Sequence, residues 1–178
     1  MLGPSHRVFG ALCGAAVATV QGADFQTVAM TAIVATATAH GWSSPDMDQT
    51  KPWQAVGRAL PGPLGALMAH RRLSHWVGLP AAAWWGITQM PAGSQWPFTA
   101  LLIGWVSHLL GDMIFGAVPL LPWGAWPVGL RLDTGGVLET GRTKHGRRVL
   151  PFAPARVLIG AGLIWLLAAP LLSTYQMA

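Results

Sequence analysis

Charge is what this sequence has least of. Asp, Glu, Lys and Arg together make up 10% of its 178 residues, where a soluble domain carries roughly 25%. Such a chain has too little polar side chain to present to water over its whole surface, so lipid is expected to cover much of it. Cysteine is almost missing. Cys13 stands alone, which excludes an intramolecular disulfide; in an apolar run with no cation beside it, it reads as a small packing residue and not a reactive thiol. Acidic residues are scarcer than basic ones, 6 against 11, for a net charge of +5. In a soluble protein that excess would point to nucleic acid. The placement of the charges points to a membrane instead, and no nucleic-acid partner is expected. A cleavable signal peptide is not evident either, because the first apolar run ends in the polar Gln21-Gly22-Ala23-Asp24 without a small-residue cleavage site.

What is present is apolar. Hydrophobic residues make up 52%, and the ten tryptophans suit two interfacial belts. Five apolar stretches stand out: Val8–Val20, Thr27–His40, Trp76–Met90, Pro97–Val118 and Pro154–Leu172. Only the last two approach the roughly 20 residues that cross a bilayer unaided. The first three are short and rich in Ala, Gly and Thr, as helices buried among neighbours are. Gly10 and Gly14, four apart, permit a close helix contact. The connections Gln21–Gln26 and Pro91–Trp96 are short. Gly41–His75 and Pro119–Ala153 are long, and their Gly and Pro predict irregular structure. Pro119–Leu130, with Trp123 and Trp126, reads as an interfacial or re-entrant loop.

If the chain crosses at every stretch, all 11 basic residues fall on one side, with the N-terminus and both long connections. Basic loops mark the cytoplasmic side. The expectation is an all-α, multi-pass membrane helical bundle of about five helices with irregular cytoplasmic connections. It forms a single membrane-embedded domain over residues 1–178, in the inner membrane, with a cytoplasmic N-terminus and the C-terminus outside. Oligomeric state is left open.

Ionisable groups near a membrane are costly and mark functional candidates. Four clusters occur: His6; Asp46 and Asp48 in Pro45-Asp46-Met47-Asp48; His70 and His75 in His70-Arg71-Arg72-Leu73-Ser74-His75; and His108 with Asp112. His108 and Asp112 stand at i and i+4, on one helix face, and can share an ion. Taken singly, each has a plain structural reading, such as a cap, a turn or an interfacial side chain. The crossing order gathers them in one cytoplasmic layer. Imidazole with carboxylate suits a divalent transition metal, zinc first and manganese or iron next. His40 ends the second stretch and is a candidate to hold the Asp46 loop. His145, among Arg142, Lys144, Arg147 and Arg148, is expected to face solvent or headgroups.

In this order the motifs resemble a family of bacterial inner-membrane metal-dependent hydrolases, LexA-regulated and YdjM-like. Its pattern has an N-terminal His, Pro-Asp-x-Asp, His-Arg-Gly-x-Thr-His-Ser and His-x-x-x-Asp. A later element matches Gly135-Gly136-Val137-Leu138-Glu139 here. The present sequence departs at Arg72, Ser74 and Trp76, where the family has Gly, Thr and Ser. The resemblance implies a metal-dependent hydrolase; from the site's place at the membrane interface the expected substrate is an ester or phosphoester, with membrane lipid as both solvent and candidate substrate. His6, Asp46, Asp48, His70, His75, His108 and Asp112 are the expected metal ligands. Asp46 or Asp48 is the expected general base, and Arg71 the expected anion holder. Two other classes fit some features: a His/Asp proton or metal-ion transporter, and a non-catalytic membrane scaffold.

Overall fold

The computed structural model describes residues 3–130 and 157–166, and among them the fold is all-α apart from one two-residue hairpin. Helix α1 (Gly3–Val20) turns at Gly22, whose φ of 73° suits glycine, into α2 (Phe25–Ala39). Asp24 caps α2, its carboxylate accepting from the Thr27 N–H at 2.7 Å. Helix α6 (Ala92–Phe115) packs along both, and α5 (Gly78–Thr88) packs along α6. A last described helix, α7 (Val157–Leu166), sets Leu163 and Leu166 against an alanine-rich core of Ala11, Ala15, Ala18, Val28 and Ala32.

Small side chains let these helices meet backbone to backbone, where dispersion and not bulk holds them. The expected contact at Gly10 and Gly14 is present. A Cβ at Gly14 would stand 2.8 Å from the Thr31 carbonyl oxygen, and one at Gly10 would run into Ala39. Gly104 of α6 plays the same part against Ala35 and Thr38 of α2.

The connection from α2 to α5 is not irregular. It holds a 3-10 turn (Pro45–Gln49), α3 (Lys51–Ala59), α4 (Gly62–Leu67) and a second 3-10 turn (Leu73–His75). Its prolines mislead as breakers, because Pro52 and Pro63 sit in the first turns of α3 and α4, where a missing N–H costs nothing. The expected loop after α6 is likewise partly ordered. Strand β1 (Val118–Pro119) pairs antiparallel with β2 (Pro127–Val128), and the hairpin is tied down by Trp76 Nε1 donating to the Leu120 carbonyl at 2.8 Å.

Among the described residues one helix, α6, is long and apolar enough to cross a membrane. α1 has 18 residues, α2 has 15 and α5 has 11. At 1.5 Å per residue these reach about 27, 22 and 16 Å, against a hydrocarbon core of about 30 Å. Exposed Trp42, Trp123 and Trp126 lie at the end of the bundle that holds the start of α1; exposed Trp84, Trp85 and Trp96 lie toward the other. The Gly135–Glu139 element, His145, the Arg142–Arg148 tract and both ends of the fifth apolar stretch lie outside the described residues.

Candidate metal centre

Antiparallel packing brings the start of α1, the end of α2, both 3-10 turns and the last turns of α6 to one end of the bundle. All but α2, which supplies the Ala39 carbonyl, contribute a polar side chain. His6 comes from α1, Asp46 from the first 3-10 turn, His75 from the second, and His108 and Asp112 from α6. His6, His75 and His108 are among the largest fully buried side chains of the protein. Their burial is what an apolar helix end would resist unless a partner repaid it.

The rings are fixed from behind. The Nδ1 of His108 lies 2.8 Å from the Ala39 carbonyl, which can only accept, so Nδ1 carries the proton and Nε2 offers a lone pair. His75 Nδ1 faces Asp48 Oδ2 at 3.2 Å, which leaves its Nε2 in the same state. Both Nε2 atoms are buried with no hydrogen-bond partner. They face carboxylates across gaps too wide for a hydrogen bond. His75 Nε2 is 3.5 Å from Asp112 and 3.8 Å from Asp46; His108 Nε2 is 3.8 Å from Asp112 and 3.7 Å from Asp46. Metal–ligand bonds of about 2.1 Å set tetrahedral ligand atoms about 3.4 Å apart. His6 completes the group, its Nε2 3.2 Å from Asp112 and its ring stacked on His108 at 3.8 Å. These His/Asp groups can hold a metal ion.

The seven residues read from the sequence as ligands therefore divide. Five converge as an inner group: His6, Asp46, His75, His108 and Asp112. Asp48 and His70 stand behind it. Asp48 is buried, and its oxygens are already engaged by His70 Nδ1 at 2.7 Å, the Arg71 N–H at 3.0 Å, the Ser74 hydroxyl and His75. Burial pushes its pKa up, but these four partners outweigh burial and bring it down to about 2. His70 is half-exposed on the far side of Asp48. A second grouping of Asp48, His70 and His75 has metal-ligand spacing, yet its hydrogen bonds are satisfied and none of its facing atoms is orphaned.

Arg71 bridges the two layers. Its N–H serves Asp48 while its guanidinium lies 3.4 Å from Asp112. It does so at a φ of 58°, a left-handed conformation a non-glycine residue rarely holds. His40 holds Asp46, Nδ1 to Oδ2 at 3.3 Å, as the sequence led one to expect. Two supports were not legible. Gln49 donates to Asp46 Oδ1 at 2.7 Å, and its spacing three residues after Asp46 is a weak signal; the Ala39 carbonyl gives no side-chain signal at all. A polar cavity of about 360 Å³ opens onto the group, lined by His6, Asp46, Asp112, Arg71, His40 and Gln49 among others.

The sequence matches the YdjM inner membrane protein family over residues 1–176. The chain belongs to that family. No curated protein and no solved structure matches it. Family membership makes it an inner membrane protein, and the buried polar layer of this YdjM chain is then set at one end of a membrane-associated bundle.

Proposed function

We propose that this YdjM-family protein is a metal-dependent hydrolase of an ester or phosphoester, with its centre at the cytoplasmic face of a multi-pass bundle. The observation that carries the reading is the pair of buried, partnerless nitrogens, His75 Nε2 and His108 Nε2, aimed at Asp46 and Asp112. With both rings neutral, two bare lone pairs face two carboxylates, an arrangement that a cation between them would satisfy. The donor set of three imidazoles and two carboxylates favours zinc, with manganese or iron as alternatives. The residues present fit the ion.

A divalent ion held there supplies Lewis acidity and brings hydrolysis to neutral pH. The protein does the rest. Asp48 and the Ala39 carbonyl orient the two rings. Arg71, at the cavity wall, holds an anionic group of the substrate by its planar fork. Asp46 lines the cavity and, in place of ligating the ion, is the carboxylate placed to accept a proton there; Asp48, behind His75, is not. Of the five described basic residues Arg7, Lys51, Arg58, Arg71 and Arg72, all belong to the start of α1 or to the α2–α5 connection. That placement supports a cytoplasmic N-terminus and centre, with the C-terminus outside.

A transporter would need polar groups along the helices. Thr31, Thr36 and Thr38 are the candidates on α2, and each donates its hydroxyl to a backbone carbonyl, which favours the enzyme reading. The test is elemental analysis of the purified protein alongside hydrolysis of a panel of phosphomonoesters, phosphodiesters and carboxylic esters. Stoichiometric transition metal, lost in His108→Ala together with chelator-sensitive hydrolysis, is expected. Metal without any hydrolysis would favour a scaffold or transporter, and no metal would end the reading.

A further inference from the structure

Helix α5 leans on α6 and leaves an apolar groove on each flank. One, of about 460 Å³, lies between α5, α6 and the end of α2, walled by Leu79, Ala83, Ile87, Leu101 and Trp105 among others. The other, of about 680 Å³, lies toward α1. We propose that the α2-side groove binds the acyl chain of an anionic amphiphile whose charged head occupies the polar cavity beside Arg71. This rests on the reading of the centre as hydrolytic, and names its substrate class.

Three observations choose this groove and this occupant. First, the two spaces share one short wall. Gly41 and Trp42 line the polar cavity, and the next residue, Ser43, lines the groove. A ligand with its head beside Arg71 and Asp112 therefore meets an apolar trough on crossing that loop. Second, the groove's two hydroxyl-bearing residues offer a ligand no free donor, since Thr38 donates to the Leu101 carbonyl and Ser43 to the Ala37 carbonyl. The wall is apolar in chemistry as well as in composition, and in an inner membrane protein the abundant apolar ligand is a lipid chain. Third, one donor is left over. Trp105 Nε1 is buried without a partner, in a groove where everything else is satisfied. A small rotation of the indole toward the groove would let an ester carbonyl at the head of an acyl chain supply the acceptor it lacks. The α1-side groove has no such orphan among its lining residues.

Photolabelling in phosphatidylcholine nanodiscs tests the assignment. The probe is a lysophosphatidate with a diazirine in its acyl chain, and a diazirine fatty alcohol is the neutral control. Labelling by the lysophosphatidate is expected at Ala83, Ile87, Leu101 or Trp105, competed by unlabelled lysophosphatidate and not by inorganic phosphate at the same concentration. Gly86→Phe fills the groove from a position where a Cβ meets nothing within 4 Å; it is expected to cut this labelling about tenfold while zinc content stays at the wild-type level. Arg71→Gln is expected to cut it as well, by removing the head site. Equal labelling by the fatty alcohol, or labelling untouched by Gly86→Phe, would show only a lipid-bathed surface and overturn the proposal. Competition by inorganic phosphate alone would place the ligand in the polar cavity without a tail, and would also overturn it. Failure of the parent reading looks different: a protein without zinc that still labels in the groove keeps the amphiphile site and loses the hydrolase.

Discussion

Asp48 stands behind His75, its Oδ2 3.2 Å from the ring Nδ1, while the opposite nitrogen of the same ring faces Asp112 at 3.5 Å. One imidazole thus joins two buried carboxylates that do different work. Asp48 sets the tautomer and angle of the ring, and Asp112 shares what the ring presents.

Asp48→Asn is the sharpest probe of that division. It keeps the shape but removes the charge that holds His75, Ser74, His70 and the Arg71 N–H. Zinc affinity should fall about 10- to 100-fold with stoichiometry retained at saturating metal. The cost in stability should reach about 2–4 kcal/mol, from one buried network losing its common acceptor. Competition with a chromophoric chelator and thermal unfolding of the metal-free protein measure the two effects; unchanged affinity would make Asp48 a structural residue only.

His70→Ala and His108→Ala should part company. His108 offers a buried, orphaned nitrogen and His70 an exposed ring on the outer side of Asp48. Elemental analysis should find the metal gone from His108→Ala and present in full in His70→Ala. Loss of metal in both would move the centre outward, to Asp48, His70 and His75.

The pH dependence should reverse sign with metal. Burial lowers the pKa of His75, but Asp112 and Asp48 outweigh it and raise it above the usual 6.5. In the metal-free protein this raised pKa stabilises below the unfolded value, and the gain is lost as pH rises through the folded one. Zinc needs the ring neutral, so zinc affinity should instead rise across that range. Asp48, with a pKa near 2, stays ionised throughout and contributes no slope there. Melting of metal-free and zinc-loaded protein over roughly pH 5.5 to 8.5 should give opposite trends; parallel curves would contradict the assignment of His75 as a ligand.

Gly104→Ala is predicted to act at a distance. Its new methyl would collide with Ala35 and Thr38 of α2, and relieving that should cost about 1–3 kcal/mol. Pushing α2 from α6 also lengthens the His108–Ala39 hydrogen bond, so metal affinity should drop with stability. Gly86→Ala, where a Cβ meets nothing within 4 Å, is the control: metal affinity should not change, and stability should rise by about 0.5–1 kcal/mol as alanine replaces glycine inside a helix.

How much of this was readable in the sequence follows from what each signal depends on. The layer holding His6, Asp46, His75, His108 and Asp112 followed from crossing order and from the segregation of Lys and Arg, both properties of the linear chain. The Gly10–Gly14 seam was legible because a missing Cβ has one main structural use at that spacing. Asp46 and Asp48 could not be told apart, since two carboxylates flanking one residue look alike until the 3-10 turn points one inward. His70 and His75 were equivalent for the same reason. The order within Gly41–His75 was hidden by Pro52 and Pro63, which end helices at most positions and begin them at one.

The left-handed backbone at Arg71 has a consequence for how this protein can change. Glycine there would relieve strain of about 1 kcal/mol or more, so backbone strain by itself favours losing the arginine. That substitution would also strip the guanidinium from the cavity wall beside Asp112. If Arg71 holds an anionic group as proposed, backbone ease and anion recognition are opposed at a single position, and selection for an unstrained backbone would be expected to find residue 71 early.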